Sequence, residues 1–240
     1  MRYLMEVEYD GSNFYGFQRL NNKRNVQEEL EHALTIINKK KVEVKGAGRT
    51  DKGVHSYGQR AHFDLDVNIP LNNLKEALND ILDDDMNISD IKRVSDDFHA
   101  RFNVIKKIYE YKINIGKFDP LKSNYYLQTN YKVDIRKLKK CAKLFLGIHN
   151  FKNFVSGERD NYEAIIYDIN IKKEKDIITI KFIGKSFYRY MVRNLVGAML
   201  DVAISKTTLD EVNNMLENYN VKKNLSCAPA QGLYLMKIFY

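Results

Sequence analysis

Residues 46–63, GAGRTDKGVHSYGQRAHF, place Arg49 and Asp51 two positions apart among Gly46, Gly48 and Gly53. Glycine carries no Cβ, so such a stretch turns sharply and approaches a ligand closely. A carboxylate in that position can serve as nucleophile or base at a sugar carbon, and a nearby arginine holds it ionised. Most Arg–Asp neighbours in loops are solvated pairs of small worth, so this stretch alone does not define an active site. Arg193 and the 16 tyrosines widen the set, because a tyrosine can stack on a base lifted out of an RNA helix. The segment FYRYMVRNLVG interleaves aromatics with arginines as an RNA-contacting helix does. Phe187, Met191, Leu195 and Met199 in it also fit an ordinary core stripe.

Other chemistries lack their signatures. GAG at 46–48 lacks the spacing of a dinucleotide fingerprint, and neither a P-loop nor a G-x-S-x-G elbow occurs. The five histidines show no metal-ligand spacing, and His55 and His62 are expected to pack or bond around the loop. Cys141 and Cys227 lie too far apart in the chain for a zinc pattern or a disulfide framework. No apolar run approaches the roughly 20 residues of a membrane-spanning helix, and MRYLMEVEYD has acids where a signal peptide needs an apolar stretch. A cytoplasmic protein with no membrane association is expected. The net charge of +8 is uneven: residues 1–100 hold 14 Lys/Arg against 18 Asp/Glu, and residues 101–240 hold 25 against 13. A basic second part suggests a polyanionic partner. Read from residues alone, the chain is an RNA-binding protein or an enzyme acting on a nucleoside.

The elements that must position these residues follow from periodicity. RYLMEVEYD alternates as a half-buried strand, and NVQEELEHALTIINKK forms a helix behind Asn25 as N-cap. KVEVKG and YGQRAHFDLDV read as strands flanking the Asp51 loop. Pro70 opens a helix with Leu74 and Leu78 on its apolar face, and a strand follows near Ile91. NVIKKIYEYKINIG is a long strand, DIRKLKKCAKLFLG a helix, and AIIYDINIKKE and DIITIKFIGK strands. FYRYMVRNLVGAMLDVAI reads as one long helix before the last strand, GLYLMKIFY. The expectation is an α+β protein of two closely joined halves, 1–103 and 104–240, with mostly antiparallel sheets around a central catalytic cleft.

The opening stretch resembles the GRTDxGVHxxGQxxHF signature of the tRNA pseudouridine synthase A (TruA) family. YDGSNFYGFQ with NVQEEL, DDFHARFNVIKKIYEYKI, GIHNFKNF, FYRYMVRNLVG and APAQGLYLMKIFY resemble further blocks of that family, in order along the chain. The resemblance implies a pseudouridine synthase fold and a cofactor-free, metal-free isomerase. Its implied substrates are uridines at positions 38, 39 and 40 of the tRNA anticodon stem-loop, and its implied state is a homodimer. It makes Asp51 the catalytic aspartate, and Arg49 the residue that helps displace the target base. It makes Tyr109 the partner stacked on the uracil, Arg193 the basic residue paired with the aspartate, and Leu233 part of the wall under the base. Phe17, Lys52 and Arg60–Ala61 depart from the family pattern. They leave room for a paralogue acting on another RNA such as ribosomal RNA. A non-catalytic RNA-binding protein on the same scaffold is the competing class.

Overall fold

The computed structural model describes residues 1–219, 221 and 225–240. The first part of the chain runs β1 (Arg2–Tyr9), α1 (Val26–Asn38), β2 (Lys45–Gly46), β3 (His55–Asp64), α2 (Leu71–Ile81) and β4 (Met86–Arg93). Next come β5 (Lys106–Asn114), β6 (Leu127–Gln128), α3 (Ile135–Leu144), β7 (Gly147–Asn150), β8 (Glu163–Glu174) and β9 (Ile177–Gly184). α4 (Met191–Ala203), α5 (Leu209–Glu217) and β10 (Leu233–Phe239) complete it. The chain divides into two units, Met1–Ile105 with Tyr234–Tyr240, and Lys106–Leu233.

In the first unit β1 lies between β3 and β4, antiparallel to both. Tyr3, Met5, Val7 and Phe63 share a core with Val26, Leu30 and Leu34 of α1 and Leu74 and Leu78 of α2. Each such side chain contributes about 1.5–3 kcal/mol by leaving water. The Asn25 carboxamide oxygen accepts the Glu28 N–H at 3.0 Å and caps α1. The chain's last strand, expected in the second half, returns to this unit. β10 runs parallel to β3, with Tyr234 opposite His55 and Leu235 opposite Ser56. The Tyr240 hydroxyl donates to the Ala100 carbonyl at 2.8 Å beyond it.

KVEVKG is also corrected: only Lys45–Gly46 pairs with β3. Val42 and Val44 are buried, yet their N–H groups donate to the Thr35 hydroxyl and the Glu31 carboxylate of α1, at 3.2 and 3.0 Å. Side chains of the helix thus satisfy donors that a strand partner would otherwise take.

The second unit has the strand order β5-β9-β8-β7, all antiparallel, with β6 parallel to β5. α3 packs with α4 and α5. α4 begins at Met191, four residues later than the periodicity implies, behind Tyr190 in the left-handed region at φ 63°. Other partners use the groups of 187–190: Ser156 N–H donates to the Arg189 carbonyl at 3.1 Å, and the Tyr188 hydroxyl donates to the Glu163 carbonyl at 2.6 Å. α5 starts from a reciprocal capping box between Thr208 and Glu211.

Candidate active site

The segment bearing Asp51 is fastened on both sides by backbone bonds to residues 11–17. Phe17 N–H donates to the Thr50 carbonyl at 3.2 Å, and Gly53 N–H donates to the Phe14 carbonyl at 3.3 Å. Val54 N–H closes a turn on the Asp51 carbonyl at 3.2 Å, with Gly53 at φ 78° in the left-handed region that glycine occupies without strain. Gly16, at φ 99°, lies so close that a Cβ there would stand 2.7 Å from the Thr50 carbonyl oxygen. These glycines serve the approach of two backbone segments, which holds the carboxylate-bearing turn rigid.

Beneath the loop, the Tyr9 and Thr50 hydroxyls share a hydrogen bond of 2.8 Å. Burial pushes the Tyr9 hydroxyl up to about 12, so it stays protonated beside Asp51's neighbour. The Gln59 amide donates to the Gly48 carbonyl at 3.0 Å. Tyr9, Thr50 and Gln59 thus bond beneath the loop; all three fall within the quoted sequence blocks, but their partners are set only by the fold. Asp51 itself is half-buried and Arg49 exposed.

Both histidines near the loop are structural. His55 Nδ1 accepts the Gly11 N–H at 3.0 Å and His62 Nδ1 accepts the Ala100 N–H at 3.1 Å. Burial, and then His99, pull the His62 imidazole down to about 4. Arg60 faces Glu6 across β1 and β3 and pairs with it at 2.5 Å, a structural reason for arginine at that position. Among the described residues no group of three or more His, Cys, Asp or Glu could hold a metal ion.

Tyr109, Arg193 and Leu233 fall in the second unit. Tyr109 is buried on β5, and its ring meets Phe187 edge-on with centroids 5.3 Å apart. Two positions on, Tyr111 is fully buried and donates its hydroxyl to the Pro229 carbonyl at 2.7 Å. Burial raises Tyr111 far above the usual phenol range, with Arg193 opposing. Gly232 brings the backbone before the buried Leu233 onto the Tyr111 ring, where a Cβ would stand 2.7 Å from the ring.

Arg193 sits in the first turn of α4, where the helix dipole disfavours a cation and no side chain caps the helix. It is held by a two-way link: its Nε donates to the Ala228 carbonyl at 2.8 Å, and Ala228 N–H donates to the Arg193 carbonyl at 3.1 Å. Its guanidinium lies 4.7 Å from the Tyr190 ring centre. The strap that holds it is anchored further along, where the buried Asp201 carboxylate accepts Ser226 N–H and Oγ, both at 2.9 Å. Around it Arg189 lies over Tyr190 at 5.4 Å and Arg159 over Tyr188 at 4.2 Å. This aromatic–arginine surface matches the FYRY pattern, while Arg159 joins it from a loop that no motif marked.

A family model described as tRNA pseudouridine synthase matches residues 5–103 and 141–240. The chain belongs to the tRNA pseudouridine synthase A family, whose members are isomerases that make pseudouridine in RNA. It is 40% identical to tRNA pseudouridine synthase A of Listeria monocytogenes serovar 1/2a, over 100% of this chain and 99% of that protein. The Borrelia hermsii protein of the same name is 39% identical, over 99% and 98%. Among solved structures, a chain of a Cbf5-Nop10-Gar1 complex matches 98% of this chain at 10% identity and a TM-score of 0.37; this chain spans 58% of it. No helix among the described residues is long and apolar enough to cross a membrane.

Proposed function

We propose that this enzyme isomerises uridines of the tRNA anticodon stem-loop, at positions 38, 39 and 40, with Asp51 as its catalytic group. In the reaction the bond from C1′ to N1 breaks, a bond from C1′ to C5 forms, C5 loses its proton and N1 gains one. The developing positive charge lies on the sugar carbon. An ionised carboxylate serves there as nucleophile or as base, and both roles need a fixed negative charge. The observation that carries the reading is the rigid attachment of the Asp51 turn through Thr50, Gly53 and Val54. A catalytic group must be held within a fraction of an ångström of its productive position.

Arg49, on the same turn, displaces the target base from its helix. Tyr109 stacks on the uracil, Leu233 walls the base, and Arg193 pairs with the aspartate. The cofactor-free chemistry needs nothing beyond these groups. The enzyme acts as a homodimer in the cytoplasm, where tRNA is processed. Mapping pseudouridine across total RNA from cells lacking the protein tests the assignment. Loss at the three anticodon positions, restored by the wild-type chain, is the expected result. Loss in ribosomal RNA with intact anticodon stem-loops would reassign the target, and no loss anywhere would leave a binding protein.

A further inference from the structure

Tyr15 precedes the glycine that packs on the Asp51 segment, and its ring is partly exposed, at 38%. Two ammonium groups gather on it: Lys52 Nζ lies 3.9 Å and Lys23 Nζ 4.7 Å from the ring centre. Both lysines are exposed, and neither pairs with a carboxylate among the described residues. Arg24, the next residue after Lys23, shows the opposite treatment, being paired with Glu29, Asp83 and Asp85 at 3.0, 2.8 and 2.6 Å. The first unit has acids to spare, with 16 Lys/Arg against 18 Asp/Glu, yet none is set against this cluster.

We propose that Tyr15, Lys23 and Lys52 form an anchoring point for the substrate RNA beside the Asp51 turn, the two ammonium groups receiving a backbone phosphate. Like charges held together repel, and a phosphate between them turns that repulsion into attraction. Lysine suits a single phosphate oxygen as a point charge, and the exposed ring offers a face for a neighbouring base. The placement is fixed. Tyr15 N–H donates to the Arg24 carbonyl at 2.9 Å, and Lys52 stands in the turn that Val54 N–H closes on Asp51. The two lysines also pull the Tyr15 hydroxyl below its ordinary range, Lys52 first, and no acid opposes them. The proposal rests on the reading that RNA is presented to Asp51, and it adds a contact within the mildly acidic part of the chain.

The test compares the full-length Lys23→Ala/Lys52→Ala variant with wild type, using an unmodified tRNA transcript across a salt series. Kd and KM should rise about tenfold near 0.1 M salt, and the magnitude of the slope of log affinity against log salt should fall by about 1, as for one lost phosphate contact. The loss should appear in KM rather than in kcat, and Lys52→Arg on the Lys23→Ala background should recover part of it. Lys40→Ala/Lys45→Ala removes two lysines paired with Asp66 and Glu43. That control should shift Kd less than twofold. A wild-type Kd and salt slope in the Lys23/Lys52 variant would overturn the proposal. So would a fall in kcat at unchanged Kd. Turnover by Asp51→Asn would instead overturn the functional reading, leaving the affinity comparison to be judged by itself.

Discussion

The two units treat several of their arginines differently. In the first, Arg2 pairs with Asp64, Arg24 with three carboxylates, and Arg60 with Glu6 and Asp90. In the second, Arg159 and Arg189 lie over tyrosine rings and meet no carboxylate among the described residues. Residues 106–233 carry 23 Lys/Arg against 13 Asp/Glu, so the surplus is not neutralised there. Compensated arginines act as fasteners: they tie strands and loops into the frame on which the Asp51 turn rests. Uncompensated ones keep their charge for a polyanion, and a ring beneath each guanidinium orients it without cancelling it. The Tyr15 cluster, like Arg101 lying 5.8 Å from the Phe102 ring centre, brings the second style into the first unit.

The largest break in this contrast comes from the carboxylate itself. Asp51→Asn keeps size and polarity but removes the charge, and turnover should fall about a thousandfold or more, with RNA affinity within a few-fold of wild type. Single-turnover formation of pseudouridine measures the loss. A rate near wild type would remove Asp51 from its role.

A fastener should instead show in stability and pH. Arg24→Ala should cost about 1–2 kcal/mol at neutral pH, since the guanidinium is mostly covered and serves a network. Arg24 holds the Asp85 carboxyl, and Arg2 the Asp64 carboxyl, below the usual carboxylate range. A lowered folded-state pKa stabilises above the unfolded value, near 4, and that stability is lost as pH falls through the folded value. Wild type should therefore weaken as pH drops from about 5 towards 2. Arg24→Ala should be weaker at neutrality and lose less on acidification. Melting curves across that range measure the difference, and parallel curves would contradict the role.

The smallest expected effect belongs to the second unit's frame. Tyr111→Phe removes the hydroxyl bound to the Pro229 carbonyl and should cost about 1 kcal/mol in denaturant unfolding. No change would mean that another donor replaces it.

Much of this design is legible in the sequence, for local reasons. Alternation marks β1, the Asn25 cap marks α1, and glycines around a charge pair mark the Asp51 turn. Features that depend on distant residues are not legible. β10 pairs with β3 from about 180 positions away, a register that no periodicity encodes. Val42 and Val44 look like strand residues because they are buried, but their donors are taken by Glu31 and Thr35. The start of α4 is shifted by bonds from 156 and to 163. α5 does carry a signal, Thr208-x-x-Glu211, although its nine residues are too few for periodicity to stand out. Tyr15, Lys23 and Lys52 meet only through folding, and although Lys52 departs from the family pattern, nothing in its own segment points to the other two.

The division between a framed carboxylate and an uncompensated cationic surface is tested most directly by measuring two variants side by side. Asp51→Asn and Arg159→Ala/Arg189→Ala would each be assayed for tRNA affinity at two salt concentrations and for single-turnover rate at saturating RNA. The expected pattern is crossed: Asp51→Asn loses rate and keeps affinity and salt slope, whereas the double arginine variant loses about tenfold in affinity and flattens the slope. An arginine variant that binds like wild type at both salt concentrations, or an Asp51→Asn protein that loses binding as much as rate, would contradict it.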